Sequence, residues 1–205
     1  MKLFFSSSSP FARKVRVFAR EKGLAGGLSE VECNPYANSG ELAQANRLGL
    51  VPTLVVGTDL VLYDSPVICE YLESRNDRPR LIPQAGGDRW RVLRAQALAD
   101  GLMELAVAMT VEGRRPVQEQ SAQTQARRRL KIAGALQMME EQLPDLTALL
   151  NLGHIAFAAA LGYLDFRHAD LGWRAKHPAL ADWFDPFAQR PAMLQTAPSD
   201  SSYAL

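Results

Sequence analysis

The apolar pattern of this 205-residue chain changes type once, and that change constrains the fold more than any other feature. Up to about residue 75, short apolar strands alternate with helical segments, whereas after residue 87 every periodic segment has helical spacing. The stretch between them holds Pro79, Pro83, Gly86 and Gly87, which is typical of a linker. We therefore expect a mixed domain and an all-helical domain. Their predicted bounds are 1–76 and 88–205, with the linker at 77–87.

The first domain reads as β-α-β-α-β-β-α. Its clearest signal is a hairpin, in which residues 53–56 and 60–63 flank a three-residue loop that contains Gly57. A strand, a helix and a second strand at the start form a right-handed parallel unit. A parallel unit followed by a hairpin and a last helix is the thioredoxin-like arrangement. The predicted elements are strands 2–6, 28–33, 53–56 and 60–63 and helices 10–22, 41–47 and 65–74, with a loop at 34–40.

The second domain is predicted to be all helical. A broad apolar stripe on its first helix indicates burial on two sides. The predicted helices are 88–113, starting at an Asp88 cap, then 116–144, 151–167 and 178–189, with an irregular tail from 192. The predicted inner face of the second of these helices is Leu130, Ala133, Leu136, Met139 and Leu143.

Two predicted helices start alike, with Ser9-Pro10 and Ser65-Pro66, and Val51-Pro52 lies between them in sequence. A serine at the N-cap, with proline at the first helical position, leaves backbone N–H groups and a hydroxyl facing outward. The positive end of a helix favours an anion. The trio therefore indicates a small ligand with two negative ends, although serine-proline also serves as an ordinary helix start.

Composition excludes several function classes. The net charge is +1, so no strong field attracts nucleic acid or an acidic membrane. No apolar stretch approaches the ~20 residues of a membrane helix. Cys33 and Cys69 are far apart and have no metal-ligand spacing, which favours small buried residues and a cytoplasmic location. The three histidines are scattered, so neither a metal site nor a catalytic triad is indicated. They are His154, His168 and His177.

Several motifs together make the chain similar to the cytosolic glutathione S-transferases, and within them to a bacterial YibF-like branch. The resemblance covers essentially the whole chain. The motifs are Ser9-Pro10-Phe11, Val51-Pro52-Thr53-Leu54, Asp64-Ser65, Arg80-Leu81-Ile82-Pro83, Ala99 to Gly101 and Ala179 through Pro191.

The resemblance implies a role for each motif at a glutathione site. Ser9 would donate a hydrogen bond to the sulfur and favour the thiolate, with Ser8 as the alternative donor. The backbone of Val51 would pair with the cysteinyl part, through a cis Pro52 that the residues alone would predict to be trans. Asp64 would take the γ-glutamyl ammonium and Ser65 the carboxylate.

The resemblance also implies roles for four further residues, and for three of them an alternative role stays open. Phe11 is placed with the glutathione-binding residues, and with Met103 and Met109 it is a candidate for the lining of the electrophile pocket. The alternative for both methionines is ordinary core packing. Asp100 would reach the γ-glutamyl ammonium of glutathione in a partner subunit, or would form a surface or interface salt bridge.

The chain departs from the family pattern at several positions. Leu50 occupies a place where many relatives carry a polar or basic residue that contacts the glycyl carboxylate of glutathione. Asp64 replaces the more frequent glutamate. Asn151 can cap the third helix of the second domain, but His154 stands where the family carries the aspartate of a reciprocal cap.

The implied function is a glutathione transferase that conjugates glutathione, as co-substrate, to a small hydrophobic electrophile. No metal or other cofactor is implied, and a homodimer is expected from the family and from the stripe at 88–113. Ser9 stands where redox members of the family carry cysteine, which argues against a thiol oxidoreductase. The alternative is a non-catalytic protein of this fold that acts through protein contacts. The identity of the electrophile stays open.

Overall fold

The protein is described by a computed structural model that covers residues 1–37, 40–146 and 149–200. Parts of the predicted loop at 34–40 and of the predicted tail lie outside these residues. The chain forms two compact units. One is Met1–Ile82 together with the chain from Pro191 on, and the other is Pro83–Arg190. The sequence had assigned the chain from Pro191 on to the second domain.

The first unit contains a mixed four-stranded sheet in the order β2-β1-β3-β4. β1 pairs in parallel with β2 and antiparallel with β3, and β3 pairs antiparallel with β4. This is the thioredoxin-like arrangement that the sequence predicted, so the fold class is confirmed. Its elements are β1 Lys2–Phe5, α1 Pro10–Glu21, β2 Ser29–Glu32, α2 Gly40–Ala45, β3 Thr53–Val56, β4 Leu60–Leu62 and α3 Ser65–Glu73.

α1 is fixed at both ends and along one side. Ser9 caps its start, and Gly23, with a φ of 73°, follows its end, as predicted. Glu30 of β2 accepts hydrogen bonds from Arg16 Nε at 2.9 Å and Arg20 Nη1 at 2.6 Å. Burial raises the pKa of Glu30, but the hydrogen bonds from Arg20 and Arg16 outweigh burial and bring the pKa below its ordinary value.

The start of α3 differs from the prediction by one residue. Asp64 is the N-cap, and its carboxylate accepts the Ser65 N–H, so Ser65 is the first helical residue and Pro66 the second. The predicted serine cap was wrong here because the neighbouring carboxylate competes for the same position, and aspartate caps as well as serine does.

The second unit is helical, and its central helix, α6, is buried over nearly its whole length. α4 packs against both α5 and α6, which explains its broad apolar stripe within one chain. The stripe therefore gives no separate support to a homodimer. The helices are α4 Gly86–Gly113, α5 Ala122–Gln142, α6 Leu152–Arg167, α7 Trp173–Lys176 and α8 Pro178–Ala188.

The predicted inner face of α5 was partly wrong. Leu130 is 76% exposed and Ala133 is also exposed, whereas Ile132, Leu136 and Met139 are buried. The helix begins later than predicted, because Ser121 caps it by accepting the Thr124 N–H.

Two other boundaries also differ from the prediction. α4 starts at Gly86, and Asp88 pairs with Arg91 instead of capping the helix. The chain from Pro191 is not irregular throughout, since Pro191–Leu194 forms a short helix, α9.

A buried ion pair joins the ends of α1 and α3 to the start of the linker. Lys22 Nζ lies 3.1 Å from Glu73 Oε2 and donates to the Pro79 carbonyl at 2.6 Å. The same Glu73 oxygen accepts the Leu81 N–H at 3.2 Å. Removing one member of such a pair leaves the other charge buried without its counter-ion.

We predict that Lys22→Met lowers the free energy of unfolding by about 3 kcal/mol in urea titrations, since Glu73 then stays buried without its cation. Lys2→Met is the matched control, because the Lys2–Glu41 pair is exposed and contributes below about 1 kcal/mol. Adding Glu73→Leu to Lys22→Met should recover part of the loss. Equal losses in the two lysine variants would contradict this account.

Candidate functional site

The strand registers bring three connections to one edge of the sheet. Phe4 of β1 pairs with Thr53 of β3, and Leu54 of β3 pairs with Leu62 of β4. Because both pairings are antiparallel, the chain after β1, before β3 and after β4 leaves the sheet on the same side. We call this place, made of residues 6–9, 51–52 and 63–65, the three-loop edge. It unites the three motifs that the sequence singled out.

Ser9 lies at the three-loop edge as the N-cap of α1. Its Oγ accepts the Ala12 N–H at 3.2 Å, which leaves the hydroxyl proton available to a ligand. Ser8 is differently engaged, since its Oγ lies 3.2 Å from Ser6 Oγ. Either hydroxyl can be the donor in that contact, so Ser9 as the donor to a ligand, with Ser8 as the alternative, stays a prediction.

The Val51–Pro52 peptide bond is cis, as the family resemblance implied and the residues alone did not. Asn46 holds the turn before it, and the sequence analysis missed this residue. Its buried Nδ2 donates to Thr53 Oγ1 at 2.9 Å, and its Oδ1 accepts the Leu48 N–H at 3.0 Å. Thr53 Oγ1 in turn donates to the Leu50 carbonyl at 2.8 Å.

The signal that could have identified this turn was the Asn46-x-x-Gly49 spacing. Gly49 has a φ of 65°, and its N–H donates to the Asn46 carbonyl at 2.8 Å. Asparagine side chains commonly bond their own turns in this way, and glycine tolerates the positive φ. The turn therefore fixes the position of the Val51 backbone.

Ser65 is the most unusual residue of the three-loop edge. The residue is completely buried, and its Oγ has no hydrogen-bond partner. A buried hydroxyl without a partner costs roughly 1–3 kcal/mol, so such groups call for an explanation. Asp64, immediately before it, is exposed. A helix start, a hydroxyl and a carboxylate thus stand together, a combination suited to a zwitterionic amino-acid group.

The other candidate residues are less informative. Phe11 is half-buried in α1, and Leu50 is 60% exposed beside Val51. Asp100, Met103 and Met109 belong to α4 of the second unit. Both methionine side chains are buried, and Asp100 Oδ2 accepts from Gln96 Nε2 at 3.4 Å. Their roles in an electrophile pocket and across a subunit boundary stay predictions.

Burial governs the cysteine and histidine side chains. Cys69 is buried in α3, and burial raises the pKa of the half-buried Cys33 thiol. Burial also lowers the pKa of His154 and His168. Asn151 Oδ1 accepts the backbone N–H of His154 at 3.3 Å and so caps α6. The buried Nδ1 of the His154 ring has no hydrogen-bond partner.

Two kinds of site are not found in the described part of the chain. Among these residues, no three histidine, cysteine, aspartate or glutamate side chains cluster as a metal ion would require. None of the described helices combines the length and the apolar character that crossing a bilayer requires.

Comparison with known families finds two matches along the chain. The family model described as glutathione S-transferase, N-terminal domain, matches residues 8–75. The model described as glutathione S-transferase, C-terminal domain, matches residues 122–185. Together they include Ser9, Val51, Pro52 and Ser65 of the three-loop edge and most of the second unit.

Individual relatives agree with these matches. The chain is 36% identical to the uncharacterized GST-like protein YibF of Escherichia coli (strain K12), over 97% of this chain and 98% of that protein. It is 39% identical to a stringent starvation protein A homolog of Pasteurella multocida (strain Pm70), over 40% of this chain and 38% of the relative.

Solved structures are similar over the whole length. A glutathione transferase family member from Pseudomonas fluorescens Pf-5 with bound glutathione has a TM-score of 0.93 and 40% identity, over 97% of this chain and 99% of that one. A structure of that family member with bound S-(propanoic acid)-glutathione has a TM-score of 0.89 and 38% identity, over 98% and 100%.

We predict that Asn46→Ala lowers the free energy of unfolding by about 2 kcal/mol, because buried hydrogen-bonding groups of the turn lose their partner. Urea titration measures the loss. Gln44→Ala, on the exposed side of α2, is the control and should stay within about 0.5 kcal/mol of wild type. A loss in Asn46→Ala no larger than in the control would mean that the turn holds without its side-chain bonds.

Proposed function

Because the chain belongs to the glutathione S-transferase family, we propose that it binds glutathione at the three-loop edge and transfers it to a small electrophile. The observation that carries this proposal is the buried Ser65 hydroxyl without a partner at the start of α3. A ligand carboxylate would complete it. The bound glutathione in similar structures supports the same ligand here, as co-substrate.

The γ-glutamyl end of glutathione fits the start of α3. Its carboxylate would accept from the Ser65 hydroxyl at the positive end of the helix. Its ammonium would meet the exposed Asp64 carboxylate, whose other interaction is with the Ser65 N–H. Two opposite charges of one ligand group thus find two matching partners on adjacent residues.

The cysteinyl part fits the cis Val51–Pro52 segment. Val51 lies two residues before the start of β3. The hydrogen bonds of Asn46 and Thr53 hold the turn that leads into this strand. An extended peptide pairs with such a backbone through N–H and C=O groups. This pairing would align the sulfur with the loop that carries Ser9.

The thiol is the reacting group. A free thiol has a pKa of ~8.5 and reacts as the thiolate. The Ser9 hydroxyl would donate to the sulfur, and the positive end of α1 would add to this stabilisation. The thiolate would then attack the electrophilic carbon, forming a sulfur–carbon bond while the leaving group departs with the electron pair. Holding both reactants together supplies further rate enhancement.

The electrophile is proposed as small. A similar structure holds S-(propanoic acid)-glutathione, in which sulfur carries a small carboxylic acid substituent, and this supports a thioether product here. The homodimer, the cytoplasmic location and the pocket role of Met103 and Met109 stay predictions.

The alternative function is a protein of this fold that acts through protein contacts without catalysis. The match to stringent starvation protein A homologs supports this alternative, because those relatives match 40% of this chain under a name that states no transferase activity. Failure of the wild-type protein to bind glutathione would favour this alternative.

We predict that Ser9→Ala raises the thiol pKa of bound glutathione by about one unit or more, toward the free value of ~8.5. Ultraviolet difference titration reports the thiolate directly. Ser8→Ala is the matched control and should leave the pKa unchanged, because the Ser8 hydroxyl is engaged with Ser6. A shift in the Ser8 variant alone would assign the donor role to Ser8.

We predict that Ser65→Ala abolishes retention on a glutathione matrix, with affinity reduced about tenfold or more. Without ligand, the same variant should be as stable as wild type or more stable, because a buried hydroxyl without a partner is removed. Ser74→Ala changes an exposed serine directly after α3, and it should change neither property. Retention of Ser65→Ala equal to wild type would remove the main support for the site.

A further inference from the structure

We propose that Arg13 is a positioning residue that acts through the C-terminal segment, residues 191–199. It would bind this segment and thereby hold the first turn of α1, with the Ser9 hydroxyl, in its working orientation. The inference rests on the proposed function, because the hydroxyl has this role only when glutathione is bound beside it.

Ser9 depends directly on the first turn of α1. Its Oγ accepts the Ala12 N–H at 3.2 Å, and its carbonyl accepts the Arg13 N–H at 3.0 Å. On the other side, the Ser9 N–H donates to the Ser6 carbonyl at 3.0 Å. The direction of the hydroxyl is therefore set by the backbone at residues 12 and 13.

The Arg13 side chain is held by the C-terminal segment. It is 8% exposed, and its Nη2 donates to the Met193 carbonyl at 3.2 Å across 180 residues of sequence. A buried guanidinium requires acceptors, because burying a charge without them is strongly unfavourable. The segment supplies one of these acceptors from its backbone, so its position and that of Arg13 depend on each other.

The C-terminal segment is itself well packed. Ala192, Met193 and Thr196 are buried, and Thr196 Oγ1 donates to the Ala192 carbonyl at 2.7 Å. Arg20 Nε of α1 donates to Gln195 Oε1 at 3.3 Å. The segment therefore lies along α1 as an ordered part of the first unit.

The far end of the segment reaches the serine loop. Ser7 Oγ lies 3.5 Å from the Ser199 carbonyl oxygen, and the same hydroxyl donates to Glu32 Oε1 at 2.6 Å. The segment thus contacts the chain on both sides of Ser9, at Ser7 before it and at Arg13 after it. Contacts on both sides restrict the movement of Ser9 more than either would alone.

Loosening the segment should affect the two ends of glutathione differently. The γ-glutamyl end is assigned to Asp64 and Ser65 at the start of α3. Within the described part of the chain, residues 191–199 make no hydrogen bond to either of these side chains. The sulfur is assigned to Ser9. The expected signature is therefore a raised thiol pKa with unchanged retention of glutathione, which general destabilisation would not produce.

Arg13→Met tests this expectation. Ultraviolet difference titration of bound glutathione should show a thiol pKa about one unit higher than in wild type, a tenfold change in the thiol–thiolate ratio. Retention on the glutathione matrix should match wild type. Arg16→Met is the matched control, because Arg16 is a cation on the same helix that pairs with Glu30, and it should leave the thiol pKa unchanged. An unchanged pKa in Arg13→Met, or an equal rise in Arg16→Met, would overturn the proposal.

Met193→Ala distinguishes an effect of the position of the C-terminal segment from an effect of the Arg13 charge. It keeps the Arg13 cation and the Met193 carbonyl but removes a buried side chain of the segment, so the thiol pKa should rise in the same direction. A rise in Arg13→Met without one in Met193→Ala would mean that Arg13 acts by its charge, against the proposal. If Arg13→Met does not fold by circular dichroism, Met193→Ala decides alone. Wild-type protein that retains no glutathione would overturn the proposed function and this inference together, whereas a wild-type shift insensitive to both variants would overturn only the inference.

Discussion

The pairing of β1 with both of its neighbours is the constraint on which the three-loop edge depends. Leu3 and Leu54 are both buried and face each other across the β1–β3 pairing. A slip of one residue would turn every side chain of a strand to the opposite face, so the apolar residues lock the register. The same register decides where the chain leaves the sheet. The positions of Ser9, Val51 and Ser65 thus follow from core packing several residues away.

Ser65 departs from the rule that buried polar groups are hydrogen-bonded. Glu30 of the sheet, by contrast, is paired with both Arg16 and Arg20 of α1. Ser65 places a hydroxyl in the interior and leaves it without a partner. Unsatisfied polar groups of this kind persist where function requires them, at some expense of stability. The unpartnered Ser65 hydroxyl is the feature on which the proposed glutathione site rests.

The sequence predicted those parts of the fold whose causes are local. The hairpin around Gly57 and the capped start of α1 were readable because turn and cap residues lie within a few positions of each other. The inner face of α5 was partly wrong because Leu130 is apolar yet exposed, and periodicity alone does not reveal which apolar residues face outward. The cap of α3 was displaced by one residue because Asp64 and Ser65 compete for it.

The parts that could not be predicted depend on distant residues. Asn46 acts through Thr53 and Leu50, across a turn that breaks the periodic pattern. α9, a helix of one turn, is too short to be stable alone and owes its order to its packing on α1. The Met193 carbonyl of α9 accepts from Arg13, which lies 180 residues earlier in the sequence. No pattern in the sequence links residues that are so far apart.

The return of residues 191–199 to the first unit has a consequence for the way the protein is made. Synthesis proceeds from the N-terminus, so a ribosome delivers all four strands long before the residues that meet Arg13. The sheet can pair while the second unit is still being translated. Arg13 gains its Met193 acceptor only once residues 191–199 have emerged. The surroundings of Ser9 are therefore the last part of the first unit to mature, and a prematurely terminated chain would carry a formed sheet with an unfinished Ser9 environment.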